Sequence, residues 1–154
     1  MAEWELSRAM PADIEALVAL DRCCFEWPWG RLSFEGELSA AAADNRVVWT
    51  ETTAGKKRIV GYIFFRFIAG EVQIFRIAVD PMWRRQGIGT RLIAECLNAA
   101  QAAGLSTAVL EARPSNTEAI ELYRKFGFHA AGTRRGYYSN RHEDALILKR
   151  TLIF

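Results

Sequence analysis

IFRIAVDP at residues 74–81 and RRQGIG at residues 84–89 are separated only by Met82 and Trp83, and the second run leads directly into a helical pattern. The first run is apolar and typical of a strand, and the second is a glycine-bearing turn at a helix start. The first backbone N–H groups of a helix lack intrahelical partners, and the helix dipole favours an anion there. The two runs together therefore predict a binding site for a phosphate-bearing ligand.

The composition is that of an ordinary globular protein. Of the 154 residues, 51% are hydrophobic and 25% are charged, which excludes a disordered or fibrous chain and predicts one domain over residues 1–154. Twenty basic residues against 18 acidic ones leave a net charge of +2. This balance is unlike that of a protein that coats nucleic acid, so we expect no direct nucleic-acid partner.

The sequence carries no recognisable membrane, secretion or metal signal. No apolar run reaches the roughly 20 residues that span a bilayer, and the start of the chain lacks the basic-then-apolar order of a signal peptide. We therefore expect a cytoplasmic protein without a membrane partner. Cys23, Cys24 and Cys96 have neither disulfide-framework nor metal-ligand spacing, and His129 and His142 stand apart, so no metal site is expected.

The hydrophobic periodicity predicts a mixed α+β chain. Helices are predicted over 11–23 and 33–38, from Ile88 to a C-terminal Gly104, and over 119–126. Strands are predicted from Leu6 and over 46–52, 59–67, 72–79, 108–112, 128–133 and 145–152, with Tyr137 and Tyr138 in a polar loop between the last two. Tight turns join the second to fourth strands, which indicates an antiparallel meander followed by βαβ units.

The glycine turn has more than one interpretation on its residues alone. Gly87 and Gly89 let the backbone come close to a phosphate, and Arg84, Arg85 and Gln86 offer further donors. The turn lacks the third glycine of the dinucleotide fingerprint and the Gly-Lys-Ser or Gly-Lys-Thr of a P-loop. A solvated surface turn with a basic face is the alternative.

Four segments resemble the GNAT superfamily of acetyl-CoA-dependent N-acetyltransferases. RRQGIG at 84–89 matches the family motif Arg/Gln-x-x-Gly-x-Gly/Ala, and IAVDP at 77–81, LEARPSN at 110–116 and AIELYRKFGF at 119–128 fall in the order of its other segments. The resemblance implies a mostly antiparallel, twisted sheet of about seven strands with about four helices, splayed between strands 4 and 5. It also implies acetyl-CoA as the cosubstrate and no metal.

Within that superfamily the chain is most similar to the RimI branch, the ribosomal-protein-alanine N-acetyltransferases. FEWPW at 25–29 resembles the aromatic loop of the branch, and RRGYY at 134–138 followed by EDA at 143–145 extends the likeness along the chain. Two features depart from the branch pattern. Arg76 stands where Asn is expected, and the loop at 139–142 is shorter.

The resemblance implies that Glu111 is the general base and Tyr123 the general acid. An amine must lose a proton to attack a thioester, and the departing thiolate must gain one, so a carboxylate and a phenol suit the two tasks. For Glu111 the competing interpretation is an edge-strand carboxylate paired with Arg113. For Tyr123 it is a core tyrosine, because Ile120, Tyr123 and Phe126 form an apolar stripe at helical spacing.

The resemblance also implies which residues contact acetyl-CoA. In the family, the main chain of the splayed fourth strand binds the pantetheine arm and the glycine turn binds the diphosphate. The residues at these positions are Ile77, Ala78, Val79, Arg84, Arg85, Gln86, Gly87, Ile88, Gly89 and Thr90, joined by Asn116 and Tyr123. Asn116 has a structural alternative as a helix cap, since residues 115–118 have the pattern of a capping box.

The acceptor is expected to contact Trp27, Trp29, Arg76, Tyr137 and Tyr138. Aromatic side chains offer large contact area with polar edges and could wall a groove for an extended peptide N-terminus. They could equally anchor loops over a thin core.

The activity implied by the resemblance is acetyl transfer to the N-terminal α-amine of a protein, with an alanine of a ribosomal protein as the acceptor. An α-amine has a pKa near 7.7–8.0, against about 10.4 for lysine, so a weak base at pH 7 favours the α-amine. The alternatives are a small-molecule amine, polyamine or antibiotic as acceptor, or a non-catalytic acyl-CoA-binding module. We expect a monomer or a weak homodimer.

Overall fold

Seven strands form one sheet in the computed structural model, which describes residues 3–138 and 143–152 and, for 135–138, 143 and 144, the backbone alone. The strands are Glu5–Arg8 (β1), Arg46–Glu51 (β2), Lys57–Ile68 (β3), Glu71–Val79 (β4), Thr107–Ala112 (β5), His129–Tyr138 (β6) and Glu143–Thr151 (β7). The helices are Ile14–Cys24 (α1), Arg31–Ser39 (α2), Ile88–Ala102 (α3) and Thr117–Lys125 (α4). Within the described residues, none of these helices is long and apolar enough to cross a bilayer.

The strand order is β1-β2-β3-β4-β5-β7-β6. The first four strands form an antiparallel meander, β4 and β5 run parallel, and β7 lies antiparallel between β5 and β6. Parallel neighbours need a long crossover connection, and α3 supplies it between β4 and β5. The arrangement confirms the predicted α+β fold with a mostly antiparallel seven-stranded sheet.

Helices cover both faces of the sheet. Along β3, Ile63 belongs to an apolar cluster that includes α3 and α4, whereas its neighbour Phe64 belongs to a cluster that includes α1 and α2. Successive residues of a strand point to opposite faces. Burial on both sides therefore explains why β3 is an almost unbroken apolar run rather than an alternating one.

One local prediction is wrong. Tyr137 and Tyr138 were expected in a loop, whereas β6 continues to Tyr138, because backbone pairing with β7 holds this polar stretch in a strand. The structural alternative for Asn116 is confirmed, because Asn116 caps α4. Its side-chain oxygen accepts a hydrogen bond from the Ala119 N–H at 3.3 Å.

A β-bulge in β4 opens the sheet. Phe64 of β3 lies opposite Arg76, but the next residue, Phe65, lies opposite Ile74, so Phe75 is an extra residue on β4. Bulges bend the strand that carries them and increase its twist. The parallel pairing of β4 with β5 ends at Ile74 opposite Leu110, immediately before the bulge. Beyond it β4 runs on to Val79 without β5, which confirms the predicted splay between strands 4 and 5.

Gly61 on β3 brings the start of α3 close to the sheet. A Cβ atom at this position would lie 2.9 Å from Cγ2 of Ile88 and 3.3 Å from the carbonyl oxygen of Ala78. Ile88 is the first residue of α3, and its side chain is fully buried. The missing side chain of Gly61 therefore fixes where the amino-terminal end of α3 lies relative to β4.

Substituting Gly61 by alanine is expected to lower the free energy of unfolding by about 1–3 kcal/mol, because the new methyl group overlaps Ile88 and a rigid backbone oxygen. Urea unfolding of the two proteins measures the difference. Gly36→Ala is the matched control: it lies exposed within α2, has no described atom within 4 Å of the new Cβ, and should be neutral or stabilising. Equal stability of the two variants would contradict this account of Gly61.

Candidate active site

The candidate site is the gap between residues 75–79 of β4 and the end of β5, which we call the cleft. The glycine turn and the first turn of α3 follow β4 directly, so they lie at the end of the cleft where β4 stops. β5 continues to Ala112 with β7 as its neighbour, and residues 113–116 lead from there into α4. The end of β4, the glycine turn with the start of α3, the end of β5 and residues 113–116 thus meet at one opening.

The free edge of β4 presents backbone groups to the cleft. Val79 lies opposite Gly61, and the Asp80 N–H donates to the Val60 carbonyl oxygen at 2.8 Å. In an antiparallel ladder this places Val79 in a pair that exchanges no hydrogen bonds, so its own N–H and C=O point away from β3. The same holds for Ile77, two residues earlier. The intervening Ala78 directs its backbone towards β3 and buries its side chain among α1 and α2.

Two side chains cover the carbonyl oxygen of Val79. Nε of Arg84 donates to it at 3.1 Å, and the Cys24 thiol donates to it at 3.5 Å. Partial burial raises the pKa of the Cys24 thiol, against the opposing effect of the Arg84 guanidinium beside it. Arg84, one of the predicted phosphate ligands, therefore closes the end of the β4 edge and keeps an exposed side chain at the turn.

The glycine turn has the geometry of an anion site. Gly87 adopts a left-handed conformation (φ 82°), and so does Arg85 (φ 63°). The first hydrogen bond of α3 runs from the Arg91 N–H to the Gly87 carbonyl oxygen at 3.0 Å. The N–H groups of residues 88–90 precede that bond and are oriented along the helix axis, where the dipole favours negative charge. The side chains of Arg84, Arg85, Gln86 and Thr90 are exposed around these N–H groups.

The two glycines of the turn have different tasks. Gly87 needs its positive φ, and a Cβ there would meet no described atom within 4 Å, so this side of the turn is open. A Cβ at Gly89 would instead lie 3.2 Å from Cδ2 of Leu122 on α4. We predicted both glycines as points of phosphate approach. The structure shows that Gly89 also serves close packing of α3 on α4.

Glu111 lies near the end of β5, on the face opposite the buried Leu110 and Ala112. Its side chain is 25% exposed, and Oε1 accepts a hydrogen bond from Nη1 of Arg134 on β6 at 2.8 Å. The alternative pairing with Arg113 is wrong, because the partner cation is Arg134 of β6. β5 is an inner strand of the sheet, but its pairing with β4 ends at Leu110, so the β4 side of the strand is open at Glu111.

Tyr123 comes from α4, which packs on the other face of the sheet. It is 6% exposed and belongs to the apolar cluster of α3 and α4, with its ring against Phe128 at a centroid distance of 6.0 Å. The core contact that we weighed against a catalytic role is therefore real. Glu111 and Tyr123 thus lie on opposite faces of the sheet.

The aromatic segment 25–29 joins α1 to α2 and borders β4. Trp29 packs edge-on against Phe34 and Phe64, with ring centroids 5.2 and 6.0 Å away, so it anchors the segment to the core. Trp27 is 38% exposed, and the Arg113 guanidinium lies 5.4 Å from its ring. Only Trp27 of this pair presents a large surface to an acceptor.

Arg76 points to the same face as the aromatic segment. Its guanidinium forms a bidentate ion pair with Asp21, with Nε to Oδ1 at 3.1 Å and Nη2 to Oδ2 at 2.9 Å. It also lies over the rings of Phe25 and Trp29, at 3.7 and 4.9 Å. The side chains of Tyr137 and Tyr138, the other predicted acceptor ligands, lie outside the described residues.

Two polar residues of this region were not predicted from the sequence. Asp21 occupies an apolar position of α1 and is fully buried, and Arg134 holds Glu111 from a strand that is distant in sequence. A charged residue within the apolar stripe of a helix was the available signal for Asp21, because such a residue needs a buried partner. No comparable signal marked Arg134, whose pairing depends on strand order.

The chain was compared with known proteins. Residues 14–128 match the acetyltransferase (GNAT) family. The chain is 32% identical over 138 residues to the [ribosomal protein bS18]-alanine N-acetyltransferase of Salmonella typhimurium, covering 88% of this chain and 89% of that protein. Its identity to the Escherichia coli protein of the same name is 30% over 145 residues, covering 93% and 94%. The crystal structure of the Escherichia coli ribosomal-protein-S18-alanine N-acetyltransferase superposes with a TM-score of 0.85 at 27% identity, covering 99% and 96%.

Proposed function

Since the chain belongs to the acetyltransferase (GNAT) family and is an acetyl-CoA-dependent N-acetyltransferase, we propose that its acceptor is the N-terminal alanine α-amine of a protein, in the first place ribosomal protein S18. The observation that carries this proposal is the similarity to two enzymes named for that reaction, over nine-tenths of their length in each case. The exposed ring of Trp27 beside β4 supports it, because an aromatic surface suits contact with an extended chain end.

The cosubstrate fits the residues that are present. We assign the diphosphate to the N–H groups of residues 88–90 and to the exposed side chains of Arg84, Arg85 and Gln86. The pantetheine arm would take the backbone groups of Ile77 and Val79 that face the cleft. The Val79 carbonyl becomes available only if Nε of Arg84 and the Cys24 thiol release it. When bound, acetyl-CoA supplies an activated thioester.

Glu111 acts in this proposal as the base and Tyr123 as the acid. The Glu111 carboxylate accepts a proton from the acceptor ammonium, directly or through a water molecule, and leaves an amine lone pair free to attack. As the new C–N bond forms and the C–S bond breaks, the Tyr123 hydroxyl donates a proton to the sulfur. The nitrogen then releases its second proton to solvent, Tyr123 regains a proton from solvent, and Glu111 gives up the proton that it took. The positions of Glu111 and Tyr123 on opposite faces of the sheet suit this division, since the base serves the attacking amine and the acid serves the departing sulfur.

Gly87→Ala tests the assigned diphosphate site. An L-residue held at φ 82° is strained by roughly 1–2 kcal/mol, so the turn will relax and misdirect its N–H groups. We expect the Kd for acetyl-CoA, measured by calorimetry, to rise about tenfold, which corresponds to 1.4 kcal/mol. Because a Cβ here meets no described atom within 4 Å, the far-UV circular dichroism should not change. An unchanged Kd would place the diphosphate elsewhere.

The acceptor proposal is tested with a panel of amines. Each reaction contains the protein, acetyl-CoA and one acceptor. The acceptors are a peptide that begins with the S18 N-terminal residues, the same peptide with a blocked α-amine, a polyamine and an amine-bearing antibiotic. We expect a mass increase of one acetyl group on the free peptide alone. Acetylation of the blocked peptide would indicate a lysine acceptor, and turnover on the polyamine or antibiotic alone would overturn the proposal.

A further inference from the structure

A buried carboxylate organises the acceptor side of the cleft. Asp21 of α1 has a side chain with no exposed surface, and it accepts hydrogen bonds from three other parts of the chain. The donors are Arg76 of β4, the Tyr62 hydroxyl of β3 and, at 2.6 Å, the backbone N–H of Trp29. A buried charge is stable only when its hydrogen-bonding capacity is filled in this way.

Arg76 links Asp21 to the aromatic segment 25–29. The face of its guanidinium lies 3.7 Å from the centroid of Phe25, and Nη2 also donates to the Trp27 carbonyl oxygen at 3.4 Å. One side chain of β4 thus contacts the segment through a ring and a backbone group, while Asp21 holds the backbone N–H of Trp29. Because Arg76 is the first residue after the bulge, these contacts tie the segment to the splayed part of β4.

Two of the three nitrogens of the Arg76 guanidinium donate within the protein. Nε donates to Asp21 and, at 3.2 Å, to the Tyr62 hydroxyl oxygen, and Nη2 donates to Asp21. Its side chain is 16% exposed. Burial and the neighbouring Asp21 charge raise the pKa of Tyr62 well above its usual value, so Tyr62 stays a neutral donor at any pH of interest.

We propose that Asp21 and Arg76 form a positioning device that fixes the aromatic segment 25–29 against β4 and thereby sets the acceptor side of the cleft. Arg76, which we predicted to be an acceptor ligand, acts on the acceptor through this segment and not by binding it. The inference rests on the proposed function, because it concerns the acceptor of that same site. It adds Asp21 as a residue that governs acceptor affinity without touching the acceptor.

The planar guanidinium is essential to this device. It makes two parallel bonds to the carboxylate while its face remains against Phe25, and an ammonium group cannot meet both requirements at once. Removing one charge of a buried pair leaves the other uncompensated and destabilises the fold, whereas removing both together is often tolerated. The double variant Asp21→Asn/Arg76→Met is therefore the variant most suited to kinetics.

The experiment measures steady-state kinetics with an alanine-starting acceptor peptide for the wild-type protein, Arg76→Lys, Asp21→Asn and the double variant. We expect the peptide KM to rise about tenfold in all three variants, with the acetyl-CoA KM within about twofold of the wild type. The double variant should be no worse than the single ones, because each change breaks the same device. Acrylamide quenching of tryptophan fluorescence should increase, as segment 25–29 loosens.

Glu37→Gln/Arg66→Met is the matched control. This pair is also bidentate, at 3.0 and 2.7 Å, and Arg66 also lies over a ring, that of Phe75, but it does not hold segment 25–29. Its peptide KM should equal that of the wild type. A wild-type peptide KM in Arg76→Lys and Asp21→Asn would overturn the inference. A double variant whose effect is the product of the two single effects would also overturn it, because it would indicate that Asp21 and Arg76 act independently. Inactivity of the wild-type protein on the peptide would instead overturn the proposed function.

Discussion

Glu111→Gln is expected to lower kcat for peptide acetylation about 100-fold or more, the usual loss when a general base is removed. Glutamine keeps the size and the oxygen that accepts from Arg134 at 2.8 Å, so the strand and the ion-pair partner stay in place. The KM for acetyl-CoA should be unchanged, because Glu111 is not among the groups assigned to the cosubstrate. Initial rates at saturating acetyl-CoA measure the effect.

The deficit of Glu111→Gln should shrink as the pH rises. An acceptor α-amine has a pKa near 7.7–8.0, so above about pH 9 it is already deprotonated and needs no base. Arg134→Gln is the control, since it removes the partner of the carboxylate but leaves the carboxylate itself. We expect a smaller loss of kcat in this control than in Glu111→Gln. Wild-type turnover in Glu111→Gln across the pH range would remove the assignment of the base.

Local sequence patterns were sufficient to predict the elements that position the cofactor side of the site. The apolar run before the turn, the turn itself and the amphipathic face of α3 each depend on residues close in sequence, so periodicity and turn chemistry identify them. The capping of α4 by Asn116, which was the structural alternative for that residue, belongs to the same class. It rests on a residue type with a strong local conformational preference.

The opening of the sheet was predicted from the family resemblance, and its physical cause was not evident in the sequence. The splay follows from the bulge at Phe75, and nothing in an apolar strand distinguishes the residue that becomes extra. The register between β3 and β4 determines which residue is the extra one, and register is a property of two strands together. The same limit applies to Glu111, for which the competing interpretation offered the sequence neighbour Arg113 as partner, whereas the partner is Arg134 on β6.

The roles of the residues on the acceptor side were the hardest to predict from the sequence, because they depend on tertiary contacts. Trp27 and Trp29 were predicted to act alike, yet in the structure the half-buried ring of Trp29 packs against Phe34 and Phe64 and the ring of Trp27 is exposed. Arg76 was predicted as a ligand because its position in the fourth strand lies where the resemblance implies that an acceptor binds. Its carboxylate partner lies 55 residues earlier in the chain, and only the packing of α1 on β4 brings the two together.

Tyr123→Phe is expected to lower kcat about 100-fold through loss of the acid that protonates the departing sulfur. The substitution removes one hydroxyl and keeps the ring, which is buried beside Phe128 at 6.0 Å, so it should cost only about 1 kcal/mol of folding stability. The KM values for peptide and acetyl-CoA should change little, since the interaction is made only as the C–S bond breaks.

The competing interpretation of Tyr123 as a core residue alone makes a different prediction. If its ring is what matters, Phe128→Leu, which removes the neighbouring ring and leaves the hydroxyl, should harm activity as much as Tyr123→Phe does. We expect the opposite order: Phe128→Leu lowers the free energy of unfolding by about 1 kcal/mol or more and keeps kcat within a few-fold of the wild type. Urea unfolding and single-turnover rates on both variants separate the two interpretations, and full activity in Tyr123→Phe would exclude the hydroxyl as the acid.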